Sequence, residues 1–182
     1  TKYAQAEVVP IAGDSAIIAH PALTPDDKTL VFVADIEGGQ GGKDLWYIKE
    51  ESRNKWSEPI NLGPEINTAG DEMFPFVAKD GSLFFASNGL PGLGGLDVFK
   101  VDDMNATNKV IYNLGEPVNS PKDDFAYMIN ETTLKGFVSS NRAGGKGDDD
   151  IYSFTKNPCE QLVSGVVTDV TTKAIISNAT VL

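Results

Sequence analysis

The chain repeats itself, and the repeat limits what it can fold into. Set one above another, DIEGGQGGKDLWYI (from Asp35), NGLPGLGGLDVFKV (from Asn88) and NRAGGKGDDDIYSF (from Asn141) share one frame. Asp35, Asn88 and Asn141 stand 53 residues apart each time, and so do the closing aspartates Asp44, Asp97 and Asp150. Two glycines hold register in every copy: Gly39, Gly92 and Gly145, then Gly41, Gly94 and Gly147. A fixed period of this size marks an array of similar supersecondary units.

The flanks repeat as well. TLVFVA, SLFFAS and KGFVSS precede the three loops, and DLWYI, DVFKV and DIYSF follow them. HPAL, FPFV and FAYM come earlier in each unit, and the turn sequences PDDK (25–28) and KDGS (79–82) follow the first two. INLGPEIN (60–67) and YNLGEPVN (112–119) close units one and two. Each segment is short, rich in β-branched and aromatic residues, and bounded by turn formers, which predicts strands. No window carries a helical apolar period. Leu30, Phe32 and Ala34 alternate with Val31 and Val33, so that strand is apolar on both faces and must be covered on both. The expected fold is all-β: a β-propeller of four-stranded antiparallel blades, stacked face to face.

The boundaries follow from the repeat. Residues 1–16, with YAQAEVVPI (Tyr3 to Ile11), read as the outer strand of a preceding blade. Residues 17–157 read as three blades, 17–68, 69–120 and 121–157. Past Pro158 the pattern changes: Val163, Val166 and Thr168, a turn at Thr171 to Lys173, then Ala179 and Val181 predict the first strands of a small β-sandwich over 158–182. Propellers have about four to eight blades. Further blades are therefore expected upstream of Thr1, and the chain reads as a piece of a longer protein.

A net charge of −11 argues against a nucleic-acid groove or an anionic membrane surface, since both need clustered cations. No apolar run approaches the ~20 residues of a membrane-spanning helix, so no direct membrane insertion is expected. One cysteine, Cys159, makes neither an internal disulfide nor a CxxC metal site; it is read as an idle thiol or one that pairs with a cysteine outside this sequence. One histidine, His20, removes the usual zinc cluster, and its place in an inner strand suggests packing or turn hydrogen bonding.

The Gly-rich loops could in principle cradle an anion. Each closes on a carboxylate, however, and no GK[ST] or helix follows. The glycines Gly39, Gly41, Gly92, Gly94, Gly145 and Gly147 are therefore expected to supply positive φ in a wide corner. Asp44, Asp97 and Asp150 are expected to accept hydrogen bonds from loop amides. GDDDIY (147–152) lacks EF-hand spacing, and consecutive carboxylates in a strand face opposite ways. Asp148 and Asp149, like Asp123 and Asp124, are read as a solvated acidic rim. No catalytic, cofactor or metal residue is assigned. Trp46 is expected between blades, and Trp56, in a connection, at the surface. Trp56, Arg142, Asp148 and Asp149 make up the candidate interaction surface.

HPALTPDDKTLVF, DLWYI, KWSEPINLGPEINTAGDEMFPFV and the GLPGLGGLDVFK loop together resemble the WD-repeat-like (TolB-type) propeller of OmpA-family cell-envelope proteins of Bacteroidota. VSGVVTDVTT resembles the carboxypeptidase-regulatory-like sandwich that follows it there. Two departures stand out: Asp27 where the family usually has glycine, and INETTLKGF in place of the third Pro-Asp-Gly turn. The resemblance implies a periplasmic, outer-membrane-associated protein, of a kind that includes lipoproteins of type IX secretion. It also implies envelope-protein partners, with peptidoglycan bound through a domain absent from this chain. The expected function is a non-catalytic scaffold or protein-interaction propeller without cofactors. The alternatives are a propeller that binds glycan or peptidoglycan fragments and, further off, a sialidase-like glycosidase. The Asp-box is missing, and Arg53 and Arg142 are the only arginines, too few for a sialic-acid cluster.

Overall fold

The computed structural model describes residues 3–11, 16–53, 55–157 and 165–176. Among them are twelve strands and no helix. The first sheet comprises β1 (Ile18–Leu23), β2 (Thr29–Ala34), β3 (Asp44–Ser52), β4 (Lys55–Trp56) and β5 (Ile60–Asn61), with β3 pairing both β4 and β5. The second runs β6 (Glu72–Val77), β7 (Leu83–Ser87), β8 (Asp97–Val101) and β9 (Ile111–Asn113). The third holds β10 (Asp124–Asn130), β11 (Lys135–Ser140) and β12 (Asp150–Thr155). Every pairing is antiparallel between chain neighbours, apart from the added β3–β5 pair. The corner register is identical in all three: Ala34 opposite Asp44, Ser87 opposite Asp97, Ser140 opposite Asp150.

The two-faced strands explain the stacking. Val31, Val33 and Leu45 on one face of the first sheet form a buried cluster with Leu83, Phe85, Phe99 and Val101 of the second. The other face of the second sheet, Phe84 and Val98, packs on Tyr127 and Val138 of the third. One ring pair crosses this second seam, Phe84 and Tyr127 at 4.7 Å between centroids, and Tyr127 in turn stacks on Phe154 of its own sheet at 5.1 Å. Each large side chain buried this way contributes about 1.5–3 kcal/mol. Sheets with both faces apolar have to stack, and the layout is that of successive propeller blades.

Three features lie beside the repeated plan. Residues 3–11 join no strand ladder among the described residues; Ile11 instead packs on Phe32, Ala34, Trp46 and Ile48. β4 is an added short strand where the first unit's third strand runs on and bends back. Residues 165–176 make a turn closed by one bridge, Thr168 to Ile175. The readings on Pro158, Cys159, Val163, Ala179 and Val181 lie outside the described residues.

Each inner strand carries a bulge, with positive φ at His20, Phe74 and Ala126. The outer turns put Asp27 (φ 59°), Gly81 (φ 90°) and Leu134 (φ 55°) in the left-handed region at matching places. The two sequence departures thus fall where an L-residue is strained. Asp27 is exposed, so Asp27→Gly is expected to raise stability by about 0.5–1 kcal/mol, whereas Gly81→Ala is expected to lower it by about 1 kcal/mol. Thermal or urea unfolding of the two variants checks both signs.

Candidate functional site

The repeated corner is the natural place to look for chemistry. Asp97 Oδ2 accepts the N–H groups of Leu93 and Gly94, both at 2.9 Å. Asp150 Oδ2 accepts from Lys146 (2.6 Å) and Gly147 (3.0 Å). Asp44 Oδ2 takes the Gln40 N–H at 2.5 Å and the Asn61 side-chain amide at 3.0 Å. Each carboxylate closes its own loop. Gly39, Gly92 and Gly145 sit so close to it that a Cβ would run into the Asp side chain.

The expectation that these glycines supply positive φ is corrected. Positive φ falls at Gly38 and Gly144, not at the six repeated glycines. What the second glycine of the motif provides is room. A Cβ on Gly41 would lie 2.5 Å from the Ala69 backbone, and one on Gly94 would collide with the Lys122 backbone. Those segments lead into the next sheet. Around the contact, Lys43 N–H donates to Asp71 Oδ1 (2.8 Å) and Glu72 N–H to the Lys43 carbonyl (2.7 Å). Leu96 N–H to Asp123 Oδ1 (2.9 Å) and Asp124 N–H to the Leu96 carbonyl (2.7 Å) repeat the pattern one unit later. Gly147 differs: a Cβ there would meet nothing closer than the Asp149 carbonyl at 3.5 Å.

Two asparagines, not singled out by the sequence reading, lock the same seams. Asn67 Oδ1 accepts the Leu45 N–H (2.8 Å), while its amide donates to the Leu45 carbonyl (2.9 Å). Asn119 does the same for Val98, at 2.8 and 2.9 Å. Both amides also donate to Asn61 or Asn113, and both residues are buried. Their signal was their recurrence 52 residues apart at the end of INLGPEIN and YNLGEPVN.

Each seam also holds a buried acid. Glu72 is fully buried and accepts from Ser87 Oγ (2.6 Å), Thr68 Oγ1 (2.7 Å) and Thr68 N–H (2.7 Å). Burial lifts its carboxyl above the ordinary value of 4.5, against the lowering by Ser87 and Thr68. Asp124 takes the equivalent place and is also fully buried, so its assignment to a solvated rim is corrected. It pairs with Arg142, whose guanidinium also donates to the Pro117 carbonyl (2.9 Å) and to Ser140 Oγ (3.0 Å). Arg142, partly exposed, is therefore held as a strut by these contacts. Asp123 is half-buried and accepts from Leu96 N–H and the Asn141 amide.

Of the remaining candidates, Asp148 and Asp149 are exposed. Trp46 is 5% exposed; Trp56 is half-buried against the cluster of Phe32 and Trp46. His20 stacks on Phe74 at 4.0 Å and accepts its N–H at Nδ1 (3.4 Å). Partial burial, then Lys43, hold its pKa below the ordinary value. A cleft of about 500 Å³ between the second and third sheets is lined by Phe84, Tyr127, Ile129 and Phe154, with Asp80, Glu131, Lys100 and Lys156 among its charged groups. Asn157 also lines it. Among the described residues no cluster of His, Cys, Asp or Glu could hold a metal ion. No helix among them is long and apolar enough to cross a membrane.

Two outcomes are expected. Asn119→Ala strands a buried N–H and C=O and should cost about 2–3 kcal/mol in denaturant unfolding. For Glu72, a native pKa above the unfolded value favours the fold at acid pH, and that contribution is lost as pH rises from about 4.5 through the native pKa. Glu72→Gln should remove this slope, so the stability of wild type relative to the variant falls as pH rises across that window. Unfolding curves at several pH values measure it.

No family model matches the chain, and no curated protein matches it in sequence. Among solved structures, the crystal structure of TolB from Acinetobacter baumannii is similar at a TM-score of 0.49 and 12% identity. The alignment covers 86% of this chain and 31% of that one, so the chain spans about a third of that protein's length.

Proposed function

We propose that this chain is a non-catalytic scaffold of the bacterial cell envelope, a stack of rigid blades that offers loops and sheet edges to protein partners. The supporting observation is how the polar side chains are used. Asp44, Asp97, Asp150, Asn67, Asn119 and Asp124 hold backbone groups and neighbouring side chains within and between sheets. General acid–base chemistry requires such groups to converge on an open cleft instead. The motif resemblance supports a periplasmic, outer-membrane-associated setting of the OmpA-family kind, including type IX secretion. It also supports peptidoglycan attachment through a separate domain.

A second reading has its own observation. Along the inner strands His20 stacks on Phe74 at 4.0 Å and Phe125 lies tilted against Phe74 at 4.8 Å, beside a hollow of about 440 Å³. Aromatic faces of this kind suit a glycan or peptidoglycan fragment.

The readings separate in the test tube. The scaffold is expected to show no turnover of envelope glycans, and Asp97→Ala should cost about 1–3 kcal/mol of stability by stranding the loop amides. Hydrolysis by wild type that is lost in Asp97→Ala would overturn it. Calorimetric binding of muropeptides that is lost in Phe74→Ala would favour the glycan reading.

A further inference from the structure

The second seam encloses a cleft at a place where the first seam is filled. In the first, Leu83, Val101 and Met104 press into the cluster around Val31, Leu45 and Ile66, and each is at most 7% exposed. The third unit has Gly136, Phe154 and Asn157 at those places, each 53 residues further on. The strand registers agree, with Leu83 opposite Val101 and Gly136 opposite Phe154. The Phe154 ring lies so close over Gly136 that a Cβ there would run into it. A glycine and an asparagine thus stand where a leucine and a methionine fill the first seam, and a cleft of about 500 Å³ remains. Its walls belong to two described sheets, and its size falls among small-molecule sites, roughly 300–1,000 Å³.

The walls are apolar and the mouth is charged. Phe84, Tyr127 and Phe154 line the interior, with Ile129 beside them. Asp80 comes from the β6–β7 turn and Glu131 from the β10–β11 turn. The Asp80 N–H donates to Glu131 Oε2 at 3.0 Å, which brings the two acids together across the seam. Partial burial raises the Asp80 carboxyl, but hydrogen bonds from Ser82 and the contact with Glu131 outweigh it, and its pKa lies below the ordinary value. Burial, then the charge of Glu131, push the Tyr127 hydroxyl up to about 12, so it stays protonated.

Two lysines also border the cleft. The Lys100 ammonium pairs with Asp102 at 2.5 Å and lies 5.9 Å from the centre of the Phe84 ring. Lys156 is exposed. With Asp102 counted, three carboxylates stand against two ammonium groups, and the ring faces themselves attract cations. The net charge of −11 adds a long-range pull of the same sign.

We propose that this cleft binds a small amphipathic cation, its apolar body between Phe84, Tyr127 and Phe154 and its ammonium or guanidinium head between Asp80 and Glu131. A charged head entering a partly dry site needs such partners, since burial without them is costly. The site goes beyond the scaffold reading and does not rest on it.

The probe is phenylbutylammonium, titrated calorimetrically into the whole protein at low salt, with phenylbutanol and phenylbutyrate as its neutral and anionic analogues. Saturable one-to-one binding of the ammonium is expected, with the alcohol roughly tenfold weaker and the butyrate weaker still. Added salt should narrow that gap. Asp80→Asn combined with Glu131→Gln should weaken the ammonium roughly tenfold and leave the alcohol unchanged. Asn157→Met copies the residue that closes the first seam onto an exposed position, and should keep the unfolding midpoint while abolishing binding of both.

No binding of the ammonium by folded protein would overturn the proposal, as it would if another part of the chain fills the cleft. Equal binding of the alcohol or the butyrate would also overturn it. So would ammonium binding left undiminished by the two acid substitutions or by Asn157→Met. None of these outcomes touches the scaffold reading, which falls on glycan turnover instead.

Discussion

The first two units each end by handing their edge to the segment that begins the next, and the rest of the structure depends on that contact. The strand after the third one pairs on its edge, an asparagine grips one residue's N–H and C=O, and the chain then crosses a glycine with no room for a Cβ. A buried main-chain group left unpaired costs about 1–3 kcal/mol, so this two-point grip fixes register more firmly than apolar packing can. Packing tolerates a shifted ring; a paired N–H and C=O does not. The apolar faces supply the attraction between sheets, and the asparagine and glycine decide how they meet.

The seams are alike in plan and unlike in charge. Between the first and second sheets the buried acid is Glu72, held by hydroxyls and an amide. Between the second and third it is Asp124, answered by Arg142. A buried charge with a cation and several hydrogen bonds is less costly than one held by neutral donors alone. Burial pushes the Glu72 carboxyl up. Repetition of the backbone plan leaves each seam free to settle its electrostatics with different residues.

These seams bear on function. Side chains that would suggest chemistry in a list of residues, such as paired aspartates or an arginine beside an acid, are occupied in holding main chain. Among the described residues the surfaces left over include the inner aromatic rings, the cleft lined by Phe84 and Tyr127, and the three repeated loops.

The repeat alone determined much of this. The 53-residue spacing of Asp44, Asp97 and Asp150 set the number of units, and Val31 alternating with Phe32 set strands covered on both faces. Turn residues marked the right corners, down to the strained Asp27. Only the tertiary structure decided that Gly41 and Gly94 serve close approach rather than positive φ. The same holds for the burial of Asp124, the inward turn of Arg142, and the grip of Asn67 and Asn119 on residues more than twenty positions back. The difference is physical. A strand's pattern and a turn's φ are local properties, written in neighbouring residues. The space at a glycine and the partner of a buried carboxylate depend on which segment another sheet brings alongside.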